Sequence, residues 1–197
     1  MFIMKLNKSV ILTYLSVAFG ILGMVLALKV KVEYALICLV IAGILDLFDG
    51  VVARKIKRTE EEKSFGVQID SLCDVINFLV FPVIITISLG MHKWYHILVL
   101  VLYALAGVTR LARFNVIAEK KHKDTPVKYY TGLPVTYISL ILPIVYLIYK
   151  NVIILALLIV AIMFVTNIKI TKPKGKAYIF FPLLAIVIIG ILVSTLI

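Results

Sequence analysis

Four aspartates, Asp46, Asp49, Asp70 and Asp74, stand in two otherwise apolar stretches at spacings of three and four residues. On a helix, at about 100° per residue, Asp46 and Asp49 lie about 60° apart and Asp70 and Asp74 about 40° apart, so each pair shares a face. A short loop, roughly Lys57 to Phe65, separates the two stretches and makes them antiparallel neighbours. The four carboxylates then converge on one cavity, where their mutual repulsion calls for protons or cations. An all-oxygen acidic set suits hard divalent ions such as Mg²⁺ or Mn²⁺, with Ca²⁺ as a further option, and four anions can hold two of them. A lone aspartate at a helix end is commonly wetted by interfacial water or paired with an arginine such as Arg54. Four on adjacent helices ask for more. Gly50 and Ala53 lie near the Asp46 face and Gly66 one turn before Asp70, so the space between the helices stays open there; a glycine taken alone equally serves close packing.

The elements that carry these residues are set by composition. The 197 residues are 63% hydrophobic with a mean hydropathy of +1.13, and only 16% are charged. Ordinary soluble domains are nearer 45–50% apolar, so this is a membrane protein. Apolar runs of about 20 residues cross a hydrocarbon core of about 30 Å as helices. Seven such runs are predicted: Val10–Leu28, Tyr34–Val52, Val67–Leu89, Tyr95–Val116, Leu133–Tyr149, Val152–Ile168 and Ala177–Ile197. No Pro/Gly/Ser-rich linker divides them, and residues 1–197 read as a single integral-membrane domain, an all-α polytopic bundle. The aspartates fall at one end of the second and third runs. An intramembrane carboxylate is costly and therefore functional by default.

Charge gives the orientation. With the amino terminus in the cytoplasm, Lys5 and Lys8, the stretch Arg54 to Lys63, the stretch Arg110 to Lys128 and the lysines from Lys169 to Lys176 all fall inside. Only Lys29, Lys31, Lys93 and Lys150 fall outside. The net charge of +11 is thereby explained by an anionic leaflet, and no soluble basic face remains for nucleic acid. The four aspartates then face the cytoplasmic side of the cell membrane. Cys38 and Cys73 lie in separate runs without metal or redox spacing and read as buried thiols. His92 and His96, beside Trp94 and Tyr95, read as part of an interfacial aromatic belt. Thr59 to Lys63 reads as a solvated turn between helices.

The segments DLFDGVVAR from Asp46 to Arg54 and GVQIDSLCD from Gly66 to Asp74 resemble the CDP-alcohol phosphotransferase signature DxxDGxxAR…GxxxDxxxD at every fixed position. SFGVQIDSLCDVINF, GVTRLARFNV from Gly107 to Val116, and Thr131-Gly132-Leu133-Pro134 are similar to the branch that contains the phosphatidylserine synthases. The likeness runs from about residue 9 to residue 145. Cys73 replaces a usual alanine, Asn77 a common serine, and Val135 a frequent small residue.

The resemblance implies a six-helix family core with an added C-terminal span, a homodimer, and transfer of the phosphatidyl group of a CDP-activated lipid to L-serine with release of CMP. It implies that Asp46, Asp49 and Asp70 hold two divalent cations, and that Asp74 completes the site and acts as base. Gly50, Ala53 and Gly66 would border the CDP pocket, with Arg54 at a phosphate or an aspartate. Serine would be met by Arg110, Arg113 and Asn115 on the fourth helix, since an arginine fork suits a carboxylate, and by the amide of Asn77. Two alternatives stand beside this. A sister transferase would use glycerol 3-phosphate or an inositol phosphate, whose phosphate the arginines could bind. A divalent-cation transporter would also place acids in the membrane, although nearer its midplane.

Overall fold

The structure, a computed structural model, describes residues 10–121, 129–171 and 177–196. The lysines of residues 1–9, 122–128 and 172–176, counted above as cytoplasmic, lie outside the described residues. Helix α1 (Ile11–Leu28) hairpins onto α2 (Val32–Lys55). Then α3 (Glu60–Asp74) passes through a wide π turn (Val75–Val80) into α4 (Phe81–Ser88), giving one continuous helical stretch. Helix α5 (Trp94–Lys121) is the longest. Strand β1 (Tyr129–Thr131), α6 (Ile138–Tyr149), α7 (Ile153–Val165), strand β2 (Lys169–Thr171) and α8 (Ala177–Ser194) follow.

The packing is that of a membrane protein. Along α1 the buried stripe is small or polar, Thr13, Ser16, Gly20, Gly23 and Ala27, while Ile11, Leu15, Leu22 and Val25 face outward. Water would drive the opposite arrangement; lipid permits it, because small residues let backbones approach while large apolar ones meet acyl chains. Five described helical stretches are long and apolar enough to cross a membrane, and Tyr178–Ser194 is a shorter sixth. Leu36, Leu39, Phe78, Phe81, Ile85, Tyr103 and Leu157 fill the centre.

One feature differs from the sequence reading. The expected turn at Thr59 to Lys63 is the start of α3. Thr59 Oγ1 accepts from Glu62 N (3.2 Å) while Thr59 N donates to Glu62 Oε2 (2.8 Å), a reciprocal cap, and Glu60, Glu61 and Glu62 complement the helix dipole. The bundle is otherwise helical, as expected, with one short two-stranded ribbon among the described residues. Strands β1 and β2 pair antiparallel, Tyr130 opposite Ile170.

That ribbon closes a hairpin. Residues 135–165 form one apolar stretch of 31 residues, which as a straight helix would measure about 46 Å. Its two ends instead meet: Leu133 N donates to Met163 O at 3.1 Å and Gly132 N to Ile168 O at 2.9 Å. The chain reverses at the 3₁₀ turn Lys150–Val152, leaving two short antiparallel arms of 12 and 13 helical residues. These arms correspond to the fifth and sixth predicted runs.

Candidate active site

Asp46 lies further from its helix end than the apolar run indicates, because α2 continues nine residues past it to Lys55, about 14 Å of helix. The packing of α2 beside α3 brings one carboxylate oxygen each of Asp46, Asp49 and Asp70 within 4.8 Å of one another. Asp74 stands outside this triad but within hydrogen-bond reach of Asp46, as Asp49 is of Asp70. Asp49 and Asp74 are buried. Two hydroxyls orient the acids from other elements. Thr13 on α1 donates to Asp49 Oδ2 at 2.8 Å, and Thr136, in the 3₁₀ turn leading into α6, donates to Asp46 Oδ2 at 2.8 Å. Neither threonine stands out in the sequence, where a hydroxyl inside an apolar run is unremarked; only the third dimension pairs them with acids 36 and 90 residues away.

All four aspartates open on one cleft of about 870 Å³, counting its mouth, which Gly50, Arg54, Arg110, Thr136 and Tyr178 also line. Four carboxylates against two guanidinium groups leave this cleft formally two charges negative in a chain of net charge +11. Asp74 Oδ1 is buried and has no donor. These observations fit divalent cations: three oxygens at this spacing can close on an ion at 2.0–2.6 Å, and the surplus negative charge asks for one. Tyr178 shows that α8 reaches the cleft.

A second pocket of about 580 Å³ shares Asp49, Gly50, Arg54 and Asp70 with the cleft and adds Thr13, Ala53, Arg58 and Gly66. The glycines divide into two kinds. At Gly20, Gly23, Gly43 and Gly107 an added Cβ would overlap a neighbouring side chain, so these serve helix packing. At Gly50 the nearest atom would be Arg54 Nη1 at 3.7 Å, and at Gly66 it would be Arg58 Nη1 at 3.3 Å. The protein's own packing has little need of glycine at these two positions, and the room beside them stays open for a ligand.

The four residues expected around serine separate. Arg110 lines the cleft. Arg113 is exposed on α5 and does not line it. Asn115 links α5 to α3, accepting from Ser71 Oγ at 2.7 Å and donating to Gln68 Oε1 at 3.4 Å. Asn77 is fully buried in the π turn and donates to Ser16 Oγ on α1 at 2.6 Å. Cys38 and Cys73 are buried and unbridged, as expected.

The sequence profile of the CDP-alcohol phosphatidyltransferase family matches residues 6–191. The chain belongs to that family. The match extends past residue 145 through α7 and most of α8. A CDP-diacylglycerol–serine O-phosphatidyltransferase of Saccharomyces cerevisiae is 36% identical over 112 residues, 55% of this chain and 40% of the yeast protein. The archaetidylserine synthase of Methanothermobacter thermautotrophicus is 36% identical over 126 residues, 64% of this chain and 51% of that protein. The chain therefore spans about half or less of the length of these two relatives. A CDP-diacylglycerol–serine O-phosphatidyltransferase of Methanocaldococcus jannaschii is 33% identical over 181 residues, 91% of this chain and 82% of the relative. Within this family, the fixed residues of the signature are the ones that meet at the cleft and its neighbouring pocket.

Proposed function

We propose that this CDP-alcohol phosphatidyltransferase moves the phosphatidyl group of a CDP-activated lipid, ester- or ether-linked, onto the hydroxyl of L-serine and releases CMP. The observation that carries this reading is the convergence of four aspartates and Arg110 on one negatively charged cleft; the names of the relatives supply the acceptor.

In this reading Asp46, Asp49 and Asp70 hold two divalent cations, Mg²⁺ or Mn²⁺, and Asp74 completes the set. When bound, such ions neutralise a diphosphate and favour in-line displacement at phosphorus. Thr13 and Thr136 fix the Asp49 and Asp46 carboxylates in advance, so little reorganisation is needed. Gly50, Ala53 and Gly66 leave room for the cytidine diphosphate, and Arg54, on the rim of both pockets, steadies a phosphate. Asp74 takes the serine hydroxyl proton as the serine Oγ–P bond forms and the P–O bond to CMP breaks. Arg110 offers its planar fork to the serine carboxylate. A single guanidinium at that end suits a carboxylate better than a phosphate dianion. The chain acts as one seven-crossing unit of the cell membrane, paired as a homodimer, with the cleft and amino terminus on the cytoplasmic side.

An acceptor panel with one radiolabelled CDP-lipid in detergent tests this. Serine is expected to be consumed with stoichiometric CMP release, glycerol 3-phosphate and inositol phosphates are expected to be ignored, and chelator is expected to stop the reaction. Consumption of a phosphorylated acceptor in place of serine would assign the chain to a sister activity. Cation uptake into liposomes without CMP release would make it a transporter. At the acceptor end, Arg110→Ala is expected to raise the serine KM by about 10- to 100-fold, the range of a lost charge-assisted hydrogen bond of about 1.5–3 kcal/mol, with the CDP-lipid KM changed less than about three-fold. Arg113→Ala should leave both constants alone; steady-state kinetics with each substrate varied in turn decides.

A further inference from the structure

The helix that carries Asp70 and Asp74 changes its winding immediately after Asp74. Through Val75–Val80 its hydrogen bonds reach back five residues, as from Phe81 N to Ile76 O. Wide turns of this kind inside α-helices occur frequently at functional sites. The local cause is in the sequence. In an α-helix the Phe78 carbonyl would accept from the N–H of residue 82, which is a proline and has none. Inside a membrane no water can take its place, so the open carbonyl must find a donor in the protein.

It finds Tyr103. This side chain on α5 is fully buried, does not line the cleft, and donates its hydroxyl hydrogen to Phe78 O at 2.5 Å. The turn is gripped on both sides of that bond. Gly20 lies against Asn77, Gly23 against Phe81 and Gly107 against Leu79, each so close that a Cβ would overlap. The widened backbone therefore fits a space cut for it by α1 and α5, and the hydroxyl of Tyr103 satisfies the Phe78 carbonyl, whose α-helical donor position is taken by Pro82.

We propose that Tyr103 is a positioning residue for Asp74: by occupying the Phe78 carbonyl, its hydroxyl holds the π turn at the phase that aims Asp74 into the cleft. The proposal rests on the reading of Asp74 as proton acceptor. Without the hydroxyl, the Phe78 carbonyl is left unpaired and the turn loses its hold, so that α3 is free to rotate about its axis relative to α4. Tyr103→Phe isolates this effect, because the ring keeps its volume and its contact with Phe164 at 5.5 Å between centroids.

The test compares Tyr103→Phe with the double variant Tyr103→Phe/Pro82→Ala, measuring kcat, both KM values, the melting temperature in detergent and amide exchange. Tyr103→Phe is expected to lower kcat about ten-fold or more with both KM values within about two-fold, and to raise exchange in residues 75–81. In the double variant the alanine that replaces Pro82 supplies the missing N–H, so melting temperature and protection should return while kcat stays low, because the turn is satisfied in the α register. An unchanged kcat in Tyr103→Phe would overturn the proposal. So would a kcat that recovers together with stability in the double variant, since the bond would then be only structural. A double variant that fails to regain protection also overturns it, because Phe78 O was then not the open acceptor. If the unsubstituted protein releases no CMP with serine, it is the functional reading that fails, and the exchange data still judge the hold of Tyr103 on the turn.

Discussion

Asp70→Asn is expected to abolish CMP release and to weaken divalent-cation binding by more than about 100-fold. Replacing even an outer partner of a metal ligand typically costs 10- to 100-fold, and Asp70 supplies one of the three oxygens that lie within 4.8 Å of one another. The amide keeps the shape of the side chain and removes its charge, so the loss reports on cation holding and not on packing. Calorimetric titration with Mn²⁺ reads the affinity directly. In chelator the variant should melt no lower than the unsubstituted protein, because one negative charge leaves a crowded set. Full activity, or an unchanged Mn²⁺ isotherm, would refute the metal assignment of the triad.

Asp74→Asn separates chemistry from binding. This carboxylate stands apart from the triad, with a buried Oδ1 that receives no donor. The expected result is a fall in kcat of about 10³-fold, within the 10²- to 10⁴-fold range of general-base catalysis, with CDP-lipid affinity in Mn²⁺ kept within a few-fold. An equal loss of affinity would move Asp74 from proton transfer to ligand holding. Both variants thus lose turnover and divide on binding, Asp70→Asn losing the cation and Asp74→Asn keeping the CDP-lipid in its presence, which is what makes the division of roles testable.

The acids were legible in the sequence because they are rare: ten in 197 residues, with four at helical spacing in apolar runs. Helix ends were less so. The cap at Thr59 to Glu62 fits the S/T-x-x-E pattern, and three consecutive glutamates disguise it as a solvated turn. The scattering of the acceptor residues was present in part in the helical phase. Arg110 and Asn115 are about 140° apart, so one cleft cannot face both, whereas Arg113, only about 60° from Arg110, is not set apart by phase. Asn77 is different, because its direction depends on a widened turn whose trigger, Pro82, lies five residues further on. Thr13 and Thr136 carry no pattern of their own. Their role depends on which acids lie across from them, and spacing along one chain does not encode that.

The short arms of the α6–α7 hairpin have a consequence for the surrounding lipid. At 12 and 13 residues they measure about 18 and 20 Å, against about 36 Å for α2, whereas the hydrocarbon slab is about 30 Å thick. In the proposed seven-crossing arrangement each arm crosses by itself, and the bilayer on that flank would pinch, at a fraction of a kcal/mol for each ångström of mismatch. Pro134, Thr136 and Tyr137, which head the hairpin, also line the cleft. Such a dimple would form beside the mouth, and a phospholipid headgroup there would have less far to sink before its phosphates came level with the aspartates.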